Sequence, residues 1–526
     1  MNIQIDINGT NFATASNVYD IYQQRGDKNV FELVLDGLIL ERYSDNDEVK
    51  AYIKSLPNAN KRLATLSLLS NDNVLWRQIN DLVKKEQSSY ERLKGIYNLI
   101  KDYVKIADVD RKGKGEIHTP FKELAEPMVK LVEKYDKDFW KNKDHKVLDS
   151  SAGYGTFLIL AAYKFMVGLK DVIEDEEERF KWIVENCLYY GELQARSAFS
   201  WLVSIDPFDK YKVNIFWGSF LDGTSLSKDF EEHMKNVWKV DKFDLIIQNP
   251  PYQIQKDTDK NKNSKNPKTK PIWHLFVNAS ISLLKENKYM VMVHPGGWRN
   301  LDGIFKETQN ILKEKQMLYL NINTFKDGLN LFGAKTNFDY YILKNSNNKN
   351  TLTKIICEDN SEENINIKDI EFIPGENISY IYDLIAKDNE SRINILHSYS
   401  AYEPRKDFIS KDKNDVNIYP CVYMVSYIDK PTFIYSSRND RGHFGIKKVI
   451  FASGSSGIIL DENGDYGLTP FSYGIVDDIE NFENIQKALK NKDFIEKVML
   501  YKHGLGHKYN PKILSLLRKD FWKKFV

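Results

Sequence analysis

The chain has 526 residues, 42% hydrophobic and 13% aromatic, enough for a large core and two to four domains. Its 75 basic and 74 acidic residues leave a formal net charge of +1, so any nucleic-acid partner must be held by a local basic surface. Cys187, Cys357 and Cys421 are scattered and odd in number, which argues against a disulfide framework or a thiolate zinc site and fits a reducing compartment. No apolar run is long enough to span a bilayer, and "MNIQIDINGTNF" is no signal peptide. The expectation is a cytoplasmic protein, or one inside a host cell, with no membrane partner.

Residues 1–110 read as a helical N-terminal region. In "SSYERLKGIYNLIKDYVKI", Leu93, Ile96, Tyr97, Ile100 and Val104 share a face, and Ser88 and Glu91 are spaced as a capping box. Residues 111–349 alternate short apolar runs with helix-length segments. Seven runs read as strands: "KVLD", "LYYGE", "VNIF", "FDLIIQ", "YMVMVH", "MLYLNI" and "DYYILK". This alternation predicts an α/β fold, a doubly wound and mostly parallel seven-stranded sheet. Residues 350–526 read as a separate α+β domain. "YPCVYMVSY", "PTFIYSS" and "KKVIFAS" are candidate strands, "GIILDENGDYGLTPFSYGIV" a candidate hairpin around Asn463-Gly464, and two helical segments close the chain.

Ligands of open parallel sheets sit at the carboxyl ends of the strands. The first strand ends at Asp149, followed by Gly153 and Gly155 in a tight turn that lets backbone amides approach a ligand. The second ends at Glu192, which can accept two hydrogen bonds from a ribose diol. A glycine turn followed by an acid describes a nucleoside site, and no phosphate-cradling Gly-Lys-Ser/Thr accompanies it. The fourth strand ends in "NPPY", Asn249, Pro250, Pro251 and Tyr252. An aromatic amine such as adenine N6 is a poor nucleophile, because its lone pair is delocalised. Acceptors at the Asn249 side-chain oxygen and the Pro250 carbonyl would favour a tetrahedral nitrogen. The prolines stiffen the corner, and Tyr252 can lie on the base.

These stretches together resemble the gamma class of N6-adenine-specific DNA methyltransferases, as found in type II restriction-modification systems. The resemblance covers roughly residues 111–345. "GEIHTPFKELAEPMVKLVE" is similar to the family's segment before the first strand, "LDSSAGYGTFL" to its first cofactor motif, and "PIWHLFVNASISLL" and "MVMVHPGGW" to motifs after the catalytic one. It implies a Rossmann-like domain using S-adenosyl-L-methionine (AdoMet) and releasing S-adenosylhomocysteine, with no metal needed. Thr119 and Pro120 would border the methionine part of the cofactor, and Asp149, Gly153, Gly155 and Glu192 would hold the rest. Where the family usually has an acid followed by Phe, this chain has Ser219 and Phe220, with Asp222 as a shifted candidate. Ser150 and Ser151 stand where Pro and Ala are more usual. "LFGAKTNFDYYILK" is similar to the motif supplying a second aromatic for a flipped base: Phe332, near Lys335, with Phe338 as runner-up. The implied partners are double-stranded DNA and a cognate restriction endonuclease.

The third region then reads as a target recognition domain. "SSRNDRGHFGIKK" offers Arg438, Arg441, His443, Lys447 and Lys448 as a DNA-contacting loop, a stretch that also reads as solvated surface. "NPKILSLLRKDFWKKF" reads as a terminal helix with Arg518, Lys519, Lys523 and Lys524 on one face. His503 and His507 have intervening glycines and no third ligand, which argues against a metal. The lysines between Gln255 and Lys270 read either as a solvated loop or as one that orders on DNA. Two other readings stay open. One is a combined restriction-modification enzyme, with Asp36, Glu48 and Lys50 as a faint nuclease signature. The other is a non-catalytic methyltransferase-like specificity subunit.

Overall fold

The computed structural model describes residues 66, 74–85, 87–110, 119–193, 195–255, 269–301, 303–452, 457–499 and 511–526. Asp36, Glu48, Lys50, the lysines from Lys256 to Lys268, His503 and His507 lie outside the described residues. The chain forms two compact units. The first runs to Trp298 and takes in Asp302–Ile356 and Asn364–Asp369; the second comprises Arg299–Leu301, Cys357–Glu363 and Ile370–Val526.

The strands of the first unit, in chain order, are β1 (Val147–Asp149), β2 (Leu188–Glu192), β3 (Asn214–Trp217), β4 (Leu221–Asp222), β5 (Ser225–Leu226), β6 (Phe243–Gln248), β7 (Gln253–Gln255), β8 (Thr269–Pro271), β9 (Leu284–Pro295), β10 (Lys315–Asn323), β11 (Phe338–Asn347), β12 (Thr353–Ile356) and β13 (Glu362–Ile365), of which Asn364 and Ile365 belong to this unit. β4 with β5 and β7 with β8 form two small ladders; the rest make one sheet in the order β13-β12-β10-β11-β9-β6-β1-β2-β3. All seven strands read from the sequence are in it. The expected count of seven becomes nine because the short runs β12 and β13 extend the edge beyond β10. From β3 to β9 the paired neighbours are parallel, and β11 is antiparallel to both β9 and β10.

The chain builds outward from β1 through β2 to β3, then returns to lay β6 on the other side of β1. The order therefore reverses between β1 and β6, and the crevice at their carboxyl ends is the place for a ligand. β6 is buried along its whole length, as expected of a central parallel strand. The helix Thr156–Gly168, apolar on nearly every side, buries Phe157, Leu158, Ile159, Leu160 and Phe165 in the same core. The helix Ser89–Asp110 starts where expected, with the Ser88 hydroxyl accepting from the Glu91 amide. Its Leu93 and Ile96 join the sheet's core.

The second unit holds two four-stranded sheets. One is β14-β21-β18-β19 (Asn394–His397, Ser472–Val476, Lys448–Ala452, Ile458–Asp461). The other is β15-β17-β16-β20 (Ile409–Ser410, Pro431–Ser436, Tyr419–Val425, Gly467–Leu468). The turn at Asn463-Gly464 forms, with Gly464 at φ +80°. It does not close a hairpin: β19 pairs with β18, while β20 crosses to pair with β16. The expected terminal helix is also cut short. Only Pro511–Leu514 is α-helical, with a 3-10 turn at Phe521–Lys524, because the ladder breaks at Arg518: its N–H bonds Leu384 O, and the Lys519 N–H bonds Ser391 O. Among the described residues no helix is long and apolar enough to cross a membrane.

Candidate active site

The first wall of the crevice is the glycine turn after β1. Gly155, at φ +80°, opens the helix Thr156–Gly168, and a Cβ there would lie 2.3 Å from the Trp201 ring. Backbone sign and packing both demand glycine. Trp201 stacks on Tyr190 (5.4 Å between centroids, 5° between planes), whose hydroxyl donates to Gly153 O at 2.6 Å. Gly153 itself has φ +52°, and the space its Cβ would take is empty.

Two acids flank this turn. Glu192 accepts from the Gly153 amide through Oε2 and from the Leu193 amide through Oε1, both at 2.8 Å. Asp149 is buried and accepts from the Ser151 amide at 3.1 Å. Burial pushes its carboxyl well above the usual carboxylate range; the Ser151 amide opposes this and the Glu192 charge adds to it. The expected acid and glycines thus come together. After β3, the Ser219 hydroxyl donates to Leu221 O at 2.6 Å, which leaves its oxygen lone pairs to accept. Phe220 is buried, stacked on Phe276, and Asp222 is exposed on the β4–β5 ladder.

The second wall is the corner after β6. Asn249 Nδ2 donates to Thr119 Oγ1 at 3.2 Å. Asn249 Oδ1 is shut from solvent and has no hydrogen-bond partner among the described residues. Buried acceptors are nearly always satisfied, so an orphan at a strand end asks for a ligand donor. Pro250 is buried and Pro251 exposed; the Tyr252 carbonyl accepts from the Ile272 amide at 3.1 Å, which ties off the far side of the corner. The β7–β8 ladder follows directly, pairing Gln253 with Pro271 and Gln255 with Thr269. Thr119 therefore meets the catalytic asparagine expected from the sequence. Beside it, Pro120 is buried, and its carbonyl accepts from the Leu124 and Ala125 amides.

Tyr252 and Phe332 do meet, but not as a sandwich. Their rings lie edge to face at 6.1 Å and 85°, and Phe332 is buried against Phe338. A flat base needs two parallel faces about two stacking distances apart, so this arrangement has no slot between the rings. The Tyr252 hydroxyl is buried with no hydrogen-bond partner among the described residues. Burial, and secondarily the nearby Asp339 charge, hold its phenol proton on. Lys335 is exposed in the turn after Phe332.

In the second unit, Arg438, Arg441 and Lys447 are exposed, with Arg438 paired to Asp440. Lys448 is not part of this surface. It is wholly buried, donating to Asp461 Oδ2 (2.6 Å), Ile446 O (2.9 Å) and His443 O (3.0 Å). It holds the loop together from inside. Arg518 and Lys523 pair with Asp520, Lys519 with Asp477 and Asp478, and Lys524 with Asp383, so the terminal basic face is largely spent on carboxylates.

Sequence reasoning missed Gln248, Ser280 and a cluster behind the corner. His294 stacks on Trp273 at 4.3 Å and bonds Tyr341, and Trp298 Nε1 donates to Asp339 at 2.8 Å. The one available signal was Gln248 itself, a polar residue closing a buried strand directly after the apolar run Leu245, Ile246 and Ile247.

Residues 194–332 match the family model described as Eco57I restriction-modification methylase. Over 305 residues the chain is 24% identical to an uncharacterized adenine-specific methylase of Mycoplasma pneumoniae, covering 46% of this chain and 70% of that one. Among solved structures, it is similar to the type I restriction-modification methyltransferase subunit of Streptococcus thermophilus (13% identity, 67% of this chain and 90% of that one, TM-score 0.35). It is also similar to a chain of a type I restriction-modification assembly (15% identity, 65% and 75%, TM-score 0.37).

Proposed function

We propose that this chain is a site-specific DNA adenine methyltransferase, moving a methyl group from AdoMet to N6 of an adenine turned out of the duplex. The observation that carries the reading is the orphaned, buried Oδ1 of Asn249, set in a proline-stiffened corner where the strand order reverses. The match of residues 194–332 to a methylase family, and the likeness to an adenine-specific methylase, support it.

The residues present fit the cofactor. The empty space at Gly153, the Glu192 carboxylate that holds the Gly153 amide, and buried Asp149 make a cradle for a nucleoside next to the Asn249 corner. Asp149, Gly153, Gly155, Glu192, Ser219 and Phe220 would hold it, and bound AdoMet supplies an electrophilic methyl on a sulfonium. The chain's own part is electrostatic. Asn249 Oδ1 and the Pro250 carbonyl accept the two N6–H bonds, which withdraws the nitrogen lone pair from the ring and aims it. Tyr252 covers the base face, and a rotation of its ring opens the slot absent between it and Phe332. The N6 proton becomes acidic on methylation, so no strong base is required. The second unit, with Arg438, Arg441 and Lys447 exposed, is the candidate for reading the DNA target.

The test is methylation of unmethylated genomic DNA by the purified chain with AdoMet, followed by sequencing that maps modified bases. N6-methyladenine confined to one short sequence is the expected result. Methylation of cytosine, or of RNA alone, contradicts the reading.

A further inference from the structure

The two walls of the crevice are joined by side chains. Ser150, the first residue after β1, donates its hydroxyl to Gln248 Oε1 at 2.6 Å. Gln248, the last residue of β6, donates its Nε2 to Ser280 Oγ at 2.7 Å. Ser280 lies on the helix Trp273–Ser282, which packs behind β9. Gln248 and Ser280 are fully buried, and Ser150 nearly so. A second, longer contact runs beside the first, from the Ser151 hydroxyl to the Asn249 carbonyl at 3.4 Å.

A glutamine amide at the centre of a parallel sheet is costly unless both of its ends are bonded. Here both are, and the two bonds run to different elements: the cofactor-side turn and the helix behind the corner. We infer that Gln248 is a positioning residue, clamped by Ser150 and Ser280, which fixes the height and direction of the Asn249 corner relative to the glycine turn. This rests on the functional reading above and deepens it. It gives Ser150 and Ser151 a use, although they depart from the Pro and Ala more usual in the resembling family. The hydroxyls that replace those residues are the groups that reach β6.

The physical reason is rigidity. A hydrogen-bonded acceptor accelerates a reaction only if it is already aimed, and a displacement of about 1 Å costs on the order of a hundredfold in rate. The prolines stiffen the corner internally, but they do not fix where the corner stands. Gln248 directly precedes it, and its side chain is bonded on both sides.

The test uses the full chain with Gln248→Leu, Ser150→Ala and the double variant. Two readouts are taken: hydrogen exchange of the peptide spanning residues 245–253, and single-turnover methyl transfer per correctly folded molecule. The expected results are faster exchange of that peptide in both single variants and a fall of about tenfold or more in transfer rate. AdoMet affinity should stay within about threefold, and the double variant should be no worse than Gln248→Leu alone, as for residues acting as one unit. Unchanged exchange of the corner peptide, or additive losses in the double variant, overturns the clamp. The exchange readout does not depend on the reaction. An unaltered protein that transfers no methyl group therefore sinks the functional reading, while exchange still decides the clamp.

Discussion

Asn249 Nδ2 donates to Thr119 Oγ1 across 3.2 Å, and that one bond decides which end of the amide faces the crevice. With the nitrogen held by Thr119, the oxygen is left as the buried acceptor. The resembling family assigns this threonine to the cofactor; the geometry places it on the asparagine. Thr119→Val keeps the shape and removes the acceptor, so the amide is free to turn its nitrogen inward. The transfer rate should drop about tenfold, a loss of roughly 1.4 kcal/mol of transition-state stabilisation, and Thr119→Ser should restore most of it. Steady-state kinetics check this, with the loss expected in kcat rather than in KM for DNA.

Tyr252 makes a separable prediction. Its hydroxyl is buried without a hydrogen-bond partner among the described residues, while its ring is the part offered to a base. Tyr252→Phe should therefore stabilise the protein by about 1 kcal/mol, since an unsatisfied buried hydroxyl is removed, and leave kcat within about threefold. Tyr252→Ala should lose most of the activity. Thermal melts and methyl-transfer assays on the two variants distinguish ring from hydroxyl.

The pH dependence of stability should carry the mark of His294. Burial lowers its pKa to about 3; the Pro295 carbonyl opposes this, and the His274 charge adds to it. Nδ1 lies 3.0 Å from that carbonyl, an acceptor only, so Nδ1 carries the proton and Nε2 accepts from the Tyr341 hydroxyl. Unfolded, this histidine titrates near the usual value of about 6.5. Between the two values the unfolded chain binds the extra proton. Stability is therefore complete above about pH 6.5 and falls as the pH drops toward 3, by on the order of a few kcal/mol from this group. Denaturant titrations at pH 7 and pH 4.5 should show the loss, and His294→Gln should flatten it.

The basic loop of the second unit divides into two kinds of residue. Lys448 is buried on Asp461, so Lys448→Met should destabilise the second unit by about 3–5 kcal/mol, the cost of leaving a buried charge alone. Arg441 and Lys447 are exposed. Arg441→Ala should leave the melting temperature unchanged, weaken DNA binding, and lower the slope of log affinity against log salt by about one. Melts and binding titrations over a salt series separate the two roles.

Much of the first unit was legible because strand-helix alternation and strand-end chemistry are local. β1, β2, β3 and β6 end at Asp149, Glu192, Trp217 and Gln248, next to the residues the sequence singles out. What was not legible depends on partners distant in the chain. The Asn249–Thr119 bond spans 130 residues and the Ser150–Gln248 bond 98, and neither leaves a periodic trace. The turn at Gly464 looks like a hairpin because turn chemistry is local, while the choice of strand partners is not. Lys448 reads as surface because a lysine's burial depends on an aspartate 13 residues away.

The central claim is that Asn249 Oδ1 acts on the substrate amine and not on the cofactor. The direct measurement is Asn249→Ala in the full chain, with AdoMet binding by calorimetry beside methyl transfer to adenine-containing duplex DNA. The account predicts transfer reduced by at least a thousandfold, about 4 kcal/mol, with AdoMet affinity within about threefold of the unaltered protein. Parallel loss of cofactor binding, or transfer that survives the substitution, would contradict it.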